Sequence, residues 1–191
     1  MKEAYILDQT FENVGISQIQ KGEYENCTFH QCNFEYADLS GFSFNDCEFK
    51  ECNLSMAKLS STAFREVHFK ECKMFGLQFS ECNEFGMAFS FEGCLLNNSV
   101  FYKTTVKKTV FKNCILHEVD FSECNLSNAV FTKCDLSGAV FDHTNLEKAD
   151  FRTSIHYAID PSQNRLKKAR FSLSEIYGLL HTFDIDIDKN S

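Results

Sequence analysis

Large apolar side chains recur at every fifth position along most of the chain. All twelve positions at this spacing between Tyr24 and Phe79 are large and apolar, and so are all twelve between Leu96 and Phe151. An α-helix repeats its buried face about every 3.6 residues and a half-buried strand every second residue, so neither element explains the spacing. Two residues before each of these centres the side chain is usually small, and the other three positions are mostly polar. Two inward and three outward residues per five predict a wall folded around a narrow core.

A second, longer repeat indicates how the five-residue segments are arranged. Five pairs of cysteines lie twenty residues apart, Cys52 and Cys72 among them, and Leu96, Leu116 and Leu136 follow the same spacing. A chain that returns above itself every twenty residues has four sides per coil, and its coils stack at the spacing of neighbouring strands, about 4.8 Å. The sequence therefore predicts an all-β solenoid with four sides.

Several segments carry the A(D/N)LXX signature of pentapeptide repeats. They are ADLSG at 37–41, CNLSM at 52–56, CNLSN at 124–128, CDLSG at 134–138 and ADF at 149–151. On these segments the chain resembles the pentapeptide-repeat family over residues 14–159, and the resemblance implies a right-handed quadrilateral β-helix. Residues 1–13 are then expected to form an N-terminal lead-in, and residues 160–191 a separate C-terminal cap and dimerisation segment.

The five-residue pattern is interrupted once, between the centres at 79 and 96, which lie 17 residues apart. Glu84 occupies the position expected of a core centre, where an unpaired carboxylate would be costly to bury. Two glycines nearby permit tight turns, so we expect a bulge or short loop near residues 84–93. It would present Glu84, Phe85 and Met87. A contact loop and a plain packing defect explain the interruption equally well.

Beyond residue 155 the pattern stops. DPSQ at 160–163 predicts a turn, apolar residues between 173 and 180 lie at helical spacing, and FDIDI at 183–187 resembles a strand. We therefore predict a short C-terminal helix followed by a strand. This segment suits either a cap on the open end of the solenoid or a two-fold interface between copies. The apolar seam of such a homodimer would consist of Phe171, Leu173, Ile176 and Leu180.

The composition points away from catalysis. The start MKEAYILDQT has no apolar signal segment, and no apolar run reaches the roughly 18 residues of a membrane span, so we expect a cytoplasmic protein with reduced thiols and no membrane partner. The ten cysteines lack the spacing of zinc sites and point into the predicted core, which favours buried free thiols. No phosphate-binding loop, nucleophile elbow or HExxH motif occurs. We expect no enzyme activity, no cofactor and no metal site.

The net charge of −8 is confined to one half of the chain. Residues 1–95 carry 15 acidic and 7 basic side chains, whereas residues 96–191 carry 12 of each. The net charge disfavours direct nucleic-acid binding, and its uneven placement indicates either an electrostatic partner surface or simply a means of solubility. Acidic residues in this half are expected to stack one coil apart or to lie close to such a stack: Asp46, Glu48, Glu51, Glu66, Glu71 and Glu81. At about 4.8 Å per coil the acidic half carries roughly one net charge per 2.4 Å, comparable with about one per 1.7 Å in duplex DNA.

The C-terminal stretch AIDPSQNRLKKARFSLSEIYGLLHTFDIDI, at 158–187, is similar to the end of the Qnr and MfpA proteins. The interruption near 84–93 also falls where that family has its second, shorter loop, although the longer first loop of some Qnr proteins has no counterpart here. The resemblance implies a homodimeric DNA mimic that binds DNA gyrase or topoisomerase IV and either protects it from quinolones, giving antibiotic resistance, or inhibits it. The alternative is a structural scaffold that binds an unknown protein through the faces of the solenoid.

Overall fold

The computed structural model describes residues 4–183 and 185–186, and within them the chain winds into a four-sided solenoid. Every strand pair is parallel and joins segments one coil apart, which confirms the predicted β-solenoid. Face 1 contains β1 (Ala4–Leu7), β3 (Gly22–Glu25), β5 (Ser43–Asn45) and β7 (Ala63–Arg65). Face 2 contains β2 (Thr10–Glu12), β4 (Thr28–His30), β6 (Glu48–Lys50), β8 (Val67–Lys70), β9 (Phe89–Glu92), β10 (Val110–Lys112) and β11 (Val130–Thr132). On faces 3 and 4 successive coils pair through single parallel bridges, such as Asn33 to Asn53 on face 3 and Asp38 to Lys58 on face 4.

The core consists of columns of identical side chains. On face 2 nine phenyl rings stack with centroids 4.5–5.5 Å apart: Phe11, Phe29, Phe49, Phe69, Phe91, Phe111, Phe131, Phe151 and Phe171. A shorter column on face 4 contains Phe79, Phe101, Phe121 and Phe141. Parallel pairing in register places each ring above its counterpart, and burial of these rings supplies the main stabilisation of a narrow core.

The polar residue of the repeat signature closes each turn. Asn53 accepts a hydrogen bond from the Ser55 amide at 3.1 Å, and Asp120 does the same for the Ser122 amide at 2.8 Å. A short carboxylate or amide side chain can reach the backbone two residues ahead, which explains why Asp or Asn stands at this position. The signature is therefore a turn requirement rather than a binding motif.

The small residue of the repeat also forms a hydrogen bond. The Cys52 thiol donates to the carbonyl of Phe29 on the preceding coil at 3.2 Å, and Thr144 and Ser154 use their hydroxyls in the same way. All ten cysteines are buried and free, in agreement with their predicted placement. Burial raises the pKa of Cys47 to about 12 and that of Cys124 to about 12, so these thiols stay protonated.

The predicted lead-in at residues 1–13 is wrong from residue 4 onward. Strands β1 and β2 already belong to the solenoid, since they pair with β3 and β4, and Phe11 begins the phenyl column. The first coil pairs Ala4 with Gly22, a separation of 18 residues instead of 20. Because this coil is two residues shorter, counting back in fives from Tyr24 misses Phe11 and Ile6, the residues that pair with Phe29 and Tyr24.

The predicted loop at 84–93 is shorter in the structure. Strand β9 pairs with β8, so Phe89 and Phe91 are buried core residues and the irregular segment ends before residue 89. Val67 pairs with Phe89, a separation of 22 residues instead of 20. The two inserted residues therefore lie before Phe89. The backbone inserts them in a turn on face 1 because a shift on face 2 would break the register of seven strands.

The predicted boundary at 159/160 and the C-terminal helix also need correction. The solenoid continues to Phe171, which stacks on Phe151, and Asp150 bridges Arg170. In place of an α-helix there is one turn of 3-10 helix, Ile176–Leu179. Two further 3-10 turns lie at Ile16–Gln18 and Phe79–Glu81. The predicted final strand is not formed at residues 183, 185 and 186, and Asp184 and Ile187 lie outside the described residues.

The segment after Phe171 covers the open end of the solenoid. Ile159 donates its amide to the carbonyl of Gly178 at 2.8 Å, and Leu179 packs against the core. A β-carbon on Gly178 would collide with the carbonyl oxygen of Tyr157, so only glycine allows this close approach. This contact pairs a backbone carbonyl and amide that would otherwise be unpaired at the end of the stack.

Candidate partner-binding surface

Acidic side chains occupy two neighbouring corners of the solenoid. Corner A is the turn from face 1 to face 2 and carries Asp46 and Glu66; corner B is the turn from face 2 to face 3 and carries Glu51 and Glu71. The pairing of β5 with β7 and of β6 with β8 places the members of each pair on adjacent coils. All four residues are exposed and adopt left-handed backbone conformations, with φ between 50° and 54°. The two columns therefore project from the two sides of face 2.

Three of these four carboxylates are available to a partner. Among the residues that the structure describes, Asp46, Glu66 and Glu71 form no ion pair. Glu51 differs, because Gln31 donates a hydrogen bond to it at 2.9 Å and the His30 ring nitrogen lies 3.5 Å away. The Gln31 hydrogen bond holds the pKa of Glu51 below its usual range, so this carboxylate is charged at neutral pH.

Face 2 between the two corners has mixed charge. Glu48 is half-buried and lies in register with Thr28 and His68, and Lys50 lies beside Lys70 on the next coil. The structure thus places Glu48 on the same face as two lysines rather than in a continuous acidic column. Negative charge is concentrated at the corners and not on the flat sheet.

Glu81 lies away from the other predicted acidic residues. It ends the 3-10 turn Phe79–Glu81 at the corner between face 4 and face 1, and its carboxylate accepts a hydrogen bond from the Ser60 hydroxyl at 2.6 Å. Neither of the corners that border face 2 includes it. The structure brings together Asp46, Glu66, Glu51 and Glu71 but leaves Glu81 on the opposite side of face 1.

The irregular coil presents a small rigid loop on face 1. Glu84 is exposed and the Phe85 side chain is 81% exposed, whereas Met87 is half-buried and packs against the core. Arg65 fixes the loop, since its Nε donates to the Phe85 carbonyl at 3.1 Å and its guanidinium carbon lies 5.9 Å from the Phe85 ring centroid. The same guanidinium also bonds Ser43 at 2.9 Å. The loop therefore offers Glu84 and Phe85, and not Met87, to a partner.

The four residues of the predicted dimer seam differ in exposure. Phe171 is half-buried and belongs to the phenyl column rather than to the cap. Ile176 and Leu180 are half-buried, and Leu173 is 86% exposed. Phe183 and Ile185, which the helical spacing did not single out, are more than half exposed. An apolar surface does exist at this end, but it consists of Leu173, Phe183 and Ile185 instead of the predicted helix face.

One polar cluster was missed by the sequence reasoning. The two oxygens of Asp135 lie 2.9 Å from the His156 ring and 3.1 Å from the His117 ring, and the Ser137 hydroxyl donates to the same carboxylate at 2.6 Å. Partial burial would raise the pKa of Asp135, but the hydrogen bonds from Ser137, His156 and His117 outweigh it and lower that pKa well below its usual range. The cluster joins three coils, and its only sequence signal is polar residues about twenty apart.

The family assignment follows from the sequence itself. Residues 23–101, 87–154 and 107–179 match the family described as pentapeptide repeat region. The chain belongs to the pentapeptide-repeat family. This result agrees with the resemblance found in the A(D/N)LXX segments, and the matched residues extend to 179, beyond the predicted boundary at 159.

Solved structures of other pentapeptide-repeat proteins align with most of this one. A trypsin-treated form of QnrB1, a plasmid-mediated fluoroquinolone resistance protein, is 21% identical and aligns over 97% of this chain and 98% of its own, with a TM-score of 0.49. Full-length QnrB1 is 20% identical over 95% and 100%, with a TM-score of 0.47. HetL, involved in heterocyst differentiation regulation in the cyanobacterium Nostoc, is 14% identical over 88% and 87%, with a TM-score of 0.43. No curated protein sequence matches the chain.

The described part of this pentapeptide-repeat protein has several surface features that a partner can contact. Within residues 4–183 and 185–186 no three His, Cys, Asp or Glu side chains form a group suited to a metal ion. The same residues include no helix with the length and apolar character needed to cross a membrane. The candidate functional features are thus the acidic corners, the Glu84–Phe85 loop and the apolar C-terminal end.

Proposed function

We propose that this pentapeptide-repeat protein binds a type II topoisomerase, DNA gyrase or topoisomerase IV, by presenting its acidic corners in place of DNA phosphates. The observation that carries the proposal is the pair of acidic columns on corners A and B. Asp46 and Glu66 form one column and Glu51 and Glu71 the other, and both run from one coil to the next. The similarity of the C-terminal sequence to the Qnr and MfpA proteins supports the same partner.

The charge spacing suits such mimicry. Coils rise by about 4.8 Å, the distance between neighbouring strands. Phosphates along one strand of duplex DNA follow at about 3.4 Å of axial rise. A column with one carboxylate per coil is thus somewhat less densely charged than a DNA strand, and two columns on either side of face 2 present two lines of charge to one partner. A basic groove that accommodates DNA would attract this side of the rod.

A homodimer would double the length of the rod. Leu173, Phe183 and Ile185 leave apolar side chains exposed at the C-terminal end of the solenoid. Exposed apolar side chains grouped at one end of a monomer are typical of an interaction site. We propose that two copies join through these residues with two-fold symmetry, so that the acidic corners lie at both distal ends of the dimer.

The Glu84–Phe85 loop is proposed as an auxiliary contact. Arg65 holds the loop in one conformation, so little entropy would be lost when Phe85 is buried against a partner. Buried aromatic anchors contribute strongly to protein interfaces. The loop stands on face 1 beside corner A, so a partner on that corner can reach both features.

The mixed charge of face 2 favours a second candidate, a scaffold for a partner unrelated to DNA. Lys50 and Lys70 lie in register between the acidic corners, and duplex DNA has no positive charge at a corresponding place. A protein with its own carboxylates could pair with these lysines. This candidate predicts that reversing the lysines weakens partner binding as much as reversing the corners does.

A supercoiling assay with purified gyrase, with and without a quinolone, tests the proposal. The parent protein should either inhibit supercoiling or restore it in the presence of the drug, because it competes for the DNA-binding surface. The variant Asp46→Lys with Glu66→Lys should lose most of this effect. The control Glu35→Lys with Glu118→Lys changes the net charge equally at exposed positions on other parts of the surface. Equal loss in both variants would show that only bulk charge matters and would contradict the proposal.

A further inference from the structure

Corner A changes its sign of charge halfway along the solenoid. In the first four coils this corner is occupied by Asp8, Asn26, Asp46 and Glu66, and in the last four by Lys108, Asn128, Lys148 and Lys168. All eight residues share the left-handed backbone conformation that defines the corner. Backbone hydrogen bonds from the Lys108 amide to Ser127 and from the Lys148 amide to Lys167 show that these residues lie on successive levels of one column. The same line along the rod is acidic in one half and basic in the other.

The basic half of corner A is formed by exposed lysines. Lys107 and Lys167 stand beside the corner lysines on face 1, and all five lysines are exposed. Among the described residues none of the five forms an ion pair. Two carboxylates close to Lys148 in the sequence pair with arginines instead, since Glu147 is bonded to Arg165 at 2.8 Å and Asp150 to Arg152 at 2.7 Å. Five uncompensated positive charges along a short line attract an anionic partner.

A pit of about 270 Å³ lies where the two halves of corner A meet. It exists because Ala88, the corner residue of the irregular coil, does not adopt the left-handed turn of its neighbours and leaves a gap between Glu66 and Lys108. Lys107 and Lys108 line one side of the pit. On the other side His68 and Ser90 are hydrogen-bonded to each other at 2.7 Å. Glu66 also lines the pit, so its walls combine two cations and a hydroxyl with one carboxylate, and the pit marks the border between the basic and the acidic half.

We propose that the basic half of corner A, from Lys107 to Lys168, binds a short acidic segment of a protein partner that ends at the pit, where Glu66 begins the acidic half. The lysines at 108, 148 and 168 span three coil steps, or roughly 14 Å at the spacing of neighbouring strands. An extended peptide with acidic side chains on one side covers this distance in about four to five residues.

A long nucleic-acid strand fits this surface less well. Beyond the pit the same corner continues with Glu66 and Asp46, so a continuous phosphate backbone would run onto like charges. The net charge of −8 adds to this repulsion. A peptide segment can end at the pit, or continue with basic residues opposite Glu66. The inference goes beyond the proposed topoisomerase binding and does not depend on it.

Fluorescence anisotropy with a rhodamine-labelled peptide of ten glutamates tests the proposal on the intact protein at low ionic strength. The parent should bind this peptide, and binding should weaken as salt rises because exposed charges are screened. We expect the variant Lys107→Glu with Lys108→Glu, and the variant Lys148→Glu with Lys168→Glu, each to bind roughly tenfold more weakly. The control Lys73→Glu with Lys133→Glu carries the same change in charge on exposed lysines elsewhere and should stay within about twofold of the parent.

Four results would overturn the proposal. The first is absence of peptide binding by the parent at low salt, and the second is an equal loss of affinity in the control variant. The third is tighter binding of a single-stranded DNA decamer than of the peptide, which would make the basic half of corner A a nucleic-acid-binding surface. The fourth is a lower sedimenting mass for both lysine variants than for the parent, which would show that a second copy of the chain occupies the basic half of corner A. The melting temperatures of all variants should match that of the parent, and no topoisomerase enters the assay.

Discussion

Replacing Phe111 by alanine is expected to destabilise the solenoid more than most single substitutions. The ring is fully buried in the middle of the face 2 column, 5.1 Å from Phe91 below it and 4.8 Å from Phe131 above it. The rings of Phe101 and Phe121 meet it edge-on at 6.3 and 5.9 Å. Removing the ring therefore leaves a cavity surrounded by aromatic side chains on four sides.

The surrounding backbone prevents that cavity from closing. Val110 and Lys112 pair with strands on both neighbouring coils, so the adjacent rings are held at a fixed spacing. Truncation of phenylalanine in a core costs about 3–5 kcal/mol, with the larger values at sites that cannot collapse. We expect about 4–5 kcal/mol here, which corresponds to a fall of roughly 10–15 °C in Tm for a chain of this size.

Thermal and urea unfolding followed by circular dichroism measure this effect. Phe171→Ala is a matched control, because the same ring at the end of the column has one stacked neighbour, Phe151, and is half-buried. It should cost about half as much. Thr105→Ala, at an exposed position of face 1, should change the free energy of unfolding by less than about 0.5 kcal/mol. A cost below about 1 kcal/mol for Phe111→Ala would refute the stacked-column account of stability.

Three further predictions concern the thiols, the Asp135 cluster and assembly. A thiol reagent at neutral pH should modify none of the ten cysteines in the folded protein and all ten in urea, because burial protects them; rapid labelling of the folded protein would contradict their placement. Asp135→Asn should lower the free energy of unfolding, and the loss should be largest above about pH 4. The difference from the parent should shrink as acid protonates the carboxylate, because a lowered folded-state pKa contributes stability only while the group is ionised. A pH-independent difference would show that packing rather than charge matters. Sedimentation should give a dimer for the parent and a monomer for Leu173→Glu with Phe183→Glu, and a monomeric parent at micromolar concentration would disprove the proposed interface.

The fold was predictable from sequence because each inward side chain repeats locally. A period of five with a superimposed period of twenty admits one arrangement of sides and coils, and the phenyl column shows that arrangement directly. The exceptions arose where a coil has a different length. The 18-residue first coil and the 22-residue step from Val67 to Phe89 preserve the pairing while shifting the count, and a fixed period cannot follow them.

The acidic corners were predictable for the same reason, because Asp46 and Glu66 occupy the same position of the five-residue repeat and lie one coil apart. Features that depend on single contacts were not. The cap is positioned by the approach of Gly178 to Tyr157, and the Asp135 cluster by side chains of three coils, and neither leaves a periodic trace. The C-terminal apolar residues have helical spacing, yet the 3-10 turn Ile176–Leu179 suffices to close the solenoid end.

DNA mimicry requires that this protein and DNA compete for the same surface of gyrase. Labelled duplex DNA is bound to purified gyrase, and its release is followed by anisotropy as the protein is added. If the acidic corners replace DNA phosphates, the parent displaces the DNA, and reversing Asp46, Glu51, Glu66 and Glu71 to lysine abolishes displacement. Tm should change little, because exposed charges contribute little to stability. Binding of the parent to gyrase without release of DNA, or equal displacement by the corner variant, would contradict DNA mimicry.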